Sequence, residues 1–272
     1  KVDPMTNDYI LHLEGVGKTF QTKNGKSIKA VQQVDLDVRE NDFVCIVGPS
    51  GCGKSTLLRM VSGLEPITFG QVVYHGQEIT RPRKEIGMVF QEYSLLPWRT
   101  VIDNVALGPE FAGISKRERE TRAMNYLRLV GMEAFARAHP HELSGGMRQR
   151  VAIVRALAND PDLLLMDEPF GALDAHTRIL LQKELLRIWE QHRKTVLFVT
   201  HGVDEAIYLA DRIVVMSARP GRIIETILVE MDRPRERSHP RYGHLAEQIL
   251  AILEKEAAQN FSKNGNILEE PF

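Results

Sequence analysis

The chain has 272 residues, with 35 Lys plus Arg against 36 Asp plus Glu and a net charge of −1. Hydrophobic residues make up 43% and charged residues 26%, ordinary values for a globular domain with a sizeable core. The balanced charge excludes an anion-binding surface driven by bulk charge, so any anion site must be local. The apolar runs, such as Phe43 to Val47, Leu163 to Met166 and Val196 to Val199, fall far short of the roughly 20 residues a bilayer span needs. The opening KVDPMTNDYI lacks a basic start followed by an apolar run, so no secretory leader is expected, and Met5 reads as a natural start. Two cysteines, Cys45 and Cys52, point to a reducing compartment and not to a disulfide scaffold.

Residues 1–8 read as a loose terminus. Strands are predicted at Tyr9 to Leu13, Ala30 to Val38 and Phe43 to Val47. Asn24-Gly25 is a hairpin signal between the first two. Phe43 to Val47 is apolar throughout, as expected of a strand buried on both faces. A Gly-rich loop follows, then a helix through Leu57, Leu58 and Val61 that ends near Gly63. Val72 to Tyr74 and Ile86 to Phe90 give two more strands. From about 95 to 160 helical periodicity dominates, with KRERETR at 116–122 and an apolar face of Met124, Leu127 and Val130. This stretch reads as an inserted helical subdomain. Beyond Pro161 come apolar strands at Leu163 to Met166, Val196 to Thr200 and Ile213 to Met216, with a helical stripe over 173–192. Strands that alternate with helices predict an α/β fold with an open parallel sheet and crossover connections. Residues 226–272 form an expected tail, with Pro234, Pro240 and an amphipathic helix around Leu245 to Leu253.

Gly48-Pro49-Ser50-Gly51-Cys52-Gly53-Lys54-Ser55 fits G-x-x-x-x-G-K-[ST] and lies between a buried strand and a helix. Successive backbone N–H groups there can form an anion nest, and the helix dipole adds favourable potential. Lys54 is placed to reach the β- and γ-phosphates of a nucleotide, and the Ser55 hydroxyl to ligate Mg²⁺. Cys52 has two readings: an inert small side chain if its surroundings are apolar, or a thiol whose pKa is lowered by the helix start and Lys54.

Leu163-Leu164-Leu165-Met166-Asp167-Glu168 is an apolar strand that ends in two carboxylates, where open α/β sheets place their ligands. Asp167 suits a metal contact through water, and Glu168 suits a base that orients the attacking water. His201 closes the strand Val196 to Thr200, which makes it a candidate γ-phosphate contact. Gln91 follows the strand Ile86 to Phe90 and is a candidate ligand to metal or water.

Leu143-Ser144-Gly145-Gly146-Met147-Arg148-Gln149-Arg150 places an N-capping serine and two glycines before a helix expected to reach Ala158. Together with the phosphate loop it resembles the signature of the ABC (ATP-binding cassette) ATPases. Motif order and spacing are similar to that family along 9–225, the expected ATPase domain, with 226–272 as a C-terminal helical tail. The resemblance implies a P-loop NTPase core, an antiparallel β subdomain and an inserted helical subdomain. It implies ATP and Mg²⁺ as ligands. The nucleotide contacts would be Phe20 stacked on adenine, Gly48 to Ser55 with Thr56, and Ser144, Gly145 and Gly146 acting on ATP held by another chain. Gln91 resembles the Q-loop, Asp167 the Walker B aspartate, Glu168 the catalytic carboxylate, Ala172-Leu173-Asp174 the D-loop and His201 the switch histidine. Ser55, Gln91 and Asp167 would serve the metal. The common signature is LSGGQ, and Met147 stands fifth here, a tolerated departure that puts a ribose contact from that side chain in doubt. Leu96-Pro97-Trp98-Arg99-Thr100-Val101, Glu168-Pro169-Phe170-Gly171-Ala172-Leu173-Asp174 and Ser217-Ala218-Arg219-Pro220-Gly221-Arg222-Ile223 are similar to the ATPase subunits of nitrate, sulfonate and taurine importers.

The resemblance implies a head-to-tail pair with a second copy or a homologous ATPase chain. It also implies two transmembrane permease subunits and, indirectly, an extracytoplasmic solute-binding protein. The chain would then be peripheral on the cytoplasmic face of the bacterial inner membrane. A soluble ABC ATPase acting on nucleic acid or ribosomes is the alternative. The single cassette and lack of a long heptad tract speak against it, and nucleic acid is not an expected partner. A non-catalytic nucleotide-binding module would be expected to lack Lys54 or Glu168.

Overall fold

The computed structural model describes residues 9–265, and side chains as far as residue 259. In chain order, β1 (Tyr9–Gln21) and β2 (Ser27–Arg39) precede β3 (Phe43–Val47) and α1 (Lys54–Val61). Next come β4 (Phe69–Tyr74), β5 (Gln77–Glu78) and β6 (Ile86–Val89). The helices α2 (Val101–Val105), α3 (Leu107–Phe111), α4 (Lys116–Leu129) and α5 (Gly145–Leu157) follow. Then come β7 (Leu163–Asp167), α6 (Ala175–His192), β8 (Thr195–Thr200) and α7 (Val203–Leu209). The chain closes with β9 (Arg212–Met216), β10 (Ile223–Leu228) and α8 (Pro240–Gly265). The expected loose terminus at 1–8 lies outside the described residues.

Two compact units divide the chain: residues 1–81 with 199–272, and residues 82–198. The expected helical stretch 95–160 falls inside the second unit, which also takes β6, β7 and the first part of β8.

In the first unit β1 and β2 pair antiparallel, with Leu13 opposite Leu36 and Phe20 opposite Ile28. The Asn24-Gly25 signal lies in their turn, where Thr22 N–H donates to Lys26 O at 2.8 Å and Gly25 takes φ 75°. The four-stranded antiparallel sheet has the order β2-β1-β4-β5. Its last hairpin turns at His75 (φ 44°) and Gly76 (φ 73°), the two positive φ angles of the favoured two-residue connection. Sequence reading missed β5 because it has only two residues. Elsewhere in this unit β3 pairs parallel with β9, Cys45 opposite Ile213 and Val47 opposite Val215. β10 joins β9 antiparallel. Helix α7 packs on β3 and α8 packs on α7. The tail boundary expected at 225/226 falls inside β10, and the tail helix runs from Pro240 with Ile249 buried. Proline at a helix start loses no hydrogen bond, because its missing N–H would have had no partner there.

In the second unit β6 and β7 pair parallel, Ile86 opposite Leu163 and Val89 opposite Met166. Every residue of β7 is buried, and α5 packs on β6. Helix α4 buries Ala123 and Leu127, with Val130 buried at its cap; Met124 of the expected apolar face is half-buried, and in the KRERETR segment Lys116, Arg117, Glu118 and Thr121 are exposed. Phe170 and Phe198 pack with ring centroids 5.9 Å apart.

Candidate nucleotide site

The phosphate loop belongs to the first unit. β3 is buried at all five residues and delivers the chain to Gly48, which is also buried. A Cβ on Gly48 would lie 2.9 Å from Met216 O and 3.2 Å from Met216 Cβ, so only glycine leaves the strand this close to β9. Gly51 and Gly53 take φ 73° and 97°. These angles turn the loop back over the start of α1. The helix cap is Gly53, with no side-chain cap bond, so the α1 N-terminus is left open to an anion. Lys54 is 4% exposed, and its Nζ donates to Gly48 O at 2.8 Å and Pro49 O at 3.0 Å. Its ammonium is therefore held against the loop it would serve. Ser55 and Thr56 follow on the first turn of α1, both partly exposed.

Of the two readings of Cys52, the structure favours the inert one. Cys52 is 1% exposed with Sγ 3.9 Å from Lys54 Nζ. Burial pushes its thiol pKa up, and this outweighs the lowering by the Lys54 charge and the local hydrogen bonds. Cys45, inside β3, is pushed up further by complete burial and by the Glu205 carboxylate. Neither thiol has the electropositive, accessible setting of a reactive cysteine.

The segment Ser217–Arg222 is hydrogen-bonded to β2 and packs against the phosphate loop. Gly221 N–H donates to Ala30 O and accepts from Gln32 N–H through its carbonyl, both at 2.9 Å. A Cβ on Gly221 would sit 1.9 Å from Cys52 O. Arg219 lies beside Gly51, with Nη2 2.9 Å from where a Gly51 Cβ would be. Sequence reading noted this segment only as a likeness. Its approach to the loop is a tertiary contact with no local signal. Phe20, near the end of β1, is 38% exposed, with Lys18 Nζ 4.9 Å from its ring centroid. His201 is exposed immediately beyond β8, in the turn where Gly202 N–H donates to Thr200 Oγ1 at 2.9 Å.

The second unit carries the carboxylates and the serine-glycine helix. Asp167 ends β7 with its side chain buried, 2% exposed. Glu168 follows at φ 43° and is partly exposed. Left-handed backbone at a residue other than glycine costs of order 1 kcal/mol, and such residues cluster at functional sites. The turn gives two adjacent carboxylates different surroundings, one enclosed and one open. Asp174 caps α6 by accepting from Thr177 N–H at 2.9 Å, and that bond holds its carboxyl below the usual range.

Ser144 caps α5 by accepting from Met147 N–H at 3.3 Å. Close packing accounts for both glycines after it. A Cβ on Gly145 would lie 3.1 Å from the Tyr93 hydroxyl, and one on Gly146 2.8 Å from Thr177 Cγ2. Gln91 is exposed beyond β6. The strand exit it opens is held by α5: Arg155 donates to Ser94 O at 2.6 Å and Tyr93 O at 3.2 Å, and Arg148 lies 5.3 Å from the Tyr93 ring centroid. The structure thus brings the Gln91 segment and the Ser144 helix together through Tyr93. Asn104 is fully buried and fastens the Leu96–Thr100 loop. It accepts from Leu96 N–H at 2.7 Å and donates to the carbonyls of Leu96, Arg99 and Thr100 at 3.0–3.1 Å. Sequence reading missed Asn104 because a lone polar residue in an apolar helix carries no spacing signal. Among the described residues no three His, Cys, Asp or Glu side chains cluster as a metal site, and no helix is long and apolar enough to cross a membrane.

The family model for the ABC transporter matches residues 31–171. An ABC transporter ATP-binding protein of Methanocaldococcus jannaschii is 51% identical over 92% of this chain and 93% of its own length. The taurine import ATP-binding protein TauB of Rhizobium johnstonii is 46% identical over 90% of this chain and 96% of its length. The nitrate import ATP-binding protein NrtD of Synechococcus elongatus is also 46% identical, over 93% and 95%. A solved dimeric ATP-binding cassette in a post-hydrolysis state with ADP and Pi superposes with TM-score 0.72 at 34% identity, covering 82% of this chain and all of that one. The chain belongs to the ABC transporter family and has the fold of its ATP-binding cassettes.

Proposed function

We propose that this chain binds and hydrolyses ATP to power an ABC importer for a small solute such as nitrate, taurine or a sulfonate. One observation carries the catalytic part. A phosphate loop with an enclosed lysine, a strand ending in one buried and one open carboxylate, and a serine-capped Gly-Gly helix all occur in a single chain. The taurine and nitrate import relatives support the coupling to transport.

In this reading the backbone N–H groups of the Gly48–Ser55 loop, Pro49 having none, and the α1 N-terminus bind the β- and γ-phosphates, Lys54 supplies a point charge and Thr56 adds a contact. Phe20 stacks on adenine. Ser55, Gln91 and Asp167 would hold Mg²⁺, whose preference is for oxygen donors, and Mg²⁺ would neutralise charge on the phosphates. Glu168 accepts the proton of the water that attacks the γ-phosphorus in line, the bond to the leaving ADP oxygen breaks, and His201 contacts the γ-phosphate. Ser144, Gly145 and Gly146 act on the nucleotide of a partner chain in a head-to-tail dimer. The dimeric state of the solved neighbour supports that arrangement. Two transmembrane permeases, fed by an extracytoplasmic solute-binding protein, would dock the dimer on the cytoplasmic face of the membrane. The second ATPase chain is a copy of this one or a homologue.

The test compares wild type with Glu168→Gln. The variant keeps MgATP binding, loses about 10²–10⁴-fold in phosphate release, and elutes as a nucleotide-bound dimer because the bridge between chains persists. Hydrolysis at the wild-type rate would remove Glu168 as the base. Co-purification of the tagged chain with ribosomes in place of membrane subunits would overturn the transport role.

A further inference from the structure

The segment from Val229 to Tyr242 takes no part in that chemistry, yet its side chains converge on α7. The helix has only seven residues, too few to hold itself in place without outside contacts. Arg235, 6% exposed, caps its end: Nη1 donates to Ile207 O at 2.8 Å, Tyr208 O at 3.3 Å and Ala210 O at 2.6 Å. Nε reaches back to Met231 O at 3.1 Å. A guanidinium here satisfies carbonyls that a helix leaves without partners, at the negative end of the dipole. Arg233 adds a bond to Leu209 O and an ion pair to Asp211, both at 2.5 Å.

The start of α7 is fastened by the same segment. Arg237 Nε donates to the two Asp204 carboxylate oxygens at 2.9 and 3.1 Å, and its guanidinium lies 4.3 Å from the Tyr208 ring centroid. The Tyr242 hydroxyl, on the first turn of α8, donates to Asp204 O at 2.6 Å and Asp204 Oδ1 at 2.8 Å. Tyr242 is 5% exposed. Asp204 stands three residues after His201. On the other side His201 adjoins Thr200, the buried last residue of β8, whose hydroxyl accepts from Gly202 N–H. The His201 backbone therefore spans two anchors, one the sheet and the other a helix whose first turn is held from the tail.

We propose that Arg237 and Tyr242 are positioning residues for His201, and that the tail segment 229–242 is the strap that keeps α7 in register for hydrolysis. The proposal rests on the reading of His201 as the γ-phosphate contact. Losing the strap lets the first turn of α7 shift and carries His201 from its working place, while the phosphate loop keeps its shape. Misplacement of a reacting group by about 1 Å costs up to about 10²-fold in rate.

Tyr242→Phe and Arg237→Gln are each made in the full chain, alone and combined with His201→Ala. Steady-state MgATP hydrolysis gives kcat and KM, and equilibrium titration with a fluorescent ATP analogue gives Kd. The expected result is a fall of about tenfold or more in kcat with Kd unchanged. Arg237→Lys should recover part of the rate, because an ammonium can still pair with Asp204. In the His201→Ala background the strap substitutions should have no further effect on kcat, the non-additivity of residues that act through one another. An unchanged kcat in both strap variants, with His201→Ala impaired, overturns the strap and leaves the reading of His201 intact. Losses that multiply fully in the His201→Ala background also overturn it, since the strap would then act on the fold at large. Full activity of His201→Ala overturns the assignment of His201 and the strap's role with it.

Discussion

Gly53→Ala probes how closely the phosphate loop is built against its surroundings. Gly53 holds φ 97° and ψ 9° at the cap of α1, and an added Cβ would meet Ala30 O at 2.7 Å and Val31 Cγ2 at 2.8 Å. Left-handed backbone with a Cβ costs about 1–2 kcal/mol. Forcing a methyl into a filled space costs about 1–3 kcal/mol more. Ala30 O cannot retreat freely, because it accepts from Gly221 N–H at 2.9 Å. The sum is about 2–5 kcal/mol. Gly25→Ala is the matched control: φ is 75°, and nothing lies within 4 Å of the added Cβ, so only the backbone cost of about 1–2 kcal/mol applies. The entropy lost by the unfolded chain on replacing glycine is common to both and cancels in the difference. Urea unfolding should therefore separate the variants by about 1–3 kcal/mol, read from the midpoint at constant slope. ADP affinity should fall for Gly53→Ala and stay at the wild-type value for Gly25→Ala. Equal midpoints for the two variants would refute the reasoning, because the contacts with Ala30 and Val31 would then cost nothing.

Lys54→Ala should remove nucleotide affinity and activity together, since a charge on the β- and γ-phosphates acts in the ground state as well as in the transition state; normal ATP binding in a titration would count against its role. Ser144→Arg should spare ATP binding to a single chain and abolish hydrolysis, as bulk and charge would block closure on the partner's nucleotide; a fully active variant would reject the sandwich. Cys52 and Cys45 both have raised thiol pKa values, with burial the leading cause. Their thiolate fraction at pH 7 is therefore below that of a free cysteine and grows as pH rises. Maleimide labelling of both should accordingly be slower than that of a free thiol and speed up with pH. Cys52 should label ahead of the more deeply enclosed Cys45, with MgATP protecting Cys52; mapping the adducts by mass spectrometry checks the order.

Elements whose cause is local could be read from the chain alone. β3 and β7 are unbroken apolar runs because both faces are covered, and their limits agree with the apolar stretch to within a residue. The phosphate loop is legible from Gly48 and Gly53 at set spacing before Lys54-Ser55, and Gly53 takes a left-handed angle at the start of α1. The Ser144 cap is a bond to an amide three residues on, so four consecutive residues specify it. Features set by distant neighbours could not be read this way. β10 has only Ile227 buried, and an edge strand with one covered residue has too little hydrophobic pattern to separate it from a tail. Sequence neighbours leave Cys52 open between an activated and an inert thiol; packing of the loop encloses it, and desolvation decides its pKa. Arg235 reads as one more charge in a tail of mixed charge. Its seat is defined by carbonyls 25 to 28 residues away in the chain. The residues settle the chemistry available at each point because backbone conformation and capping are short-range. Burial, and with it charge state and position, is decided by what the fold packs against each side chain.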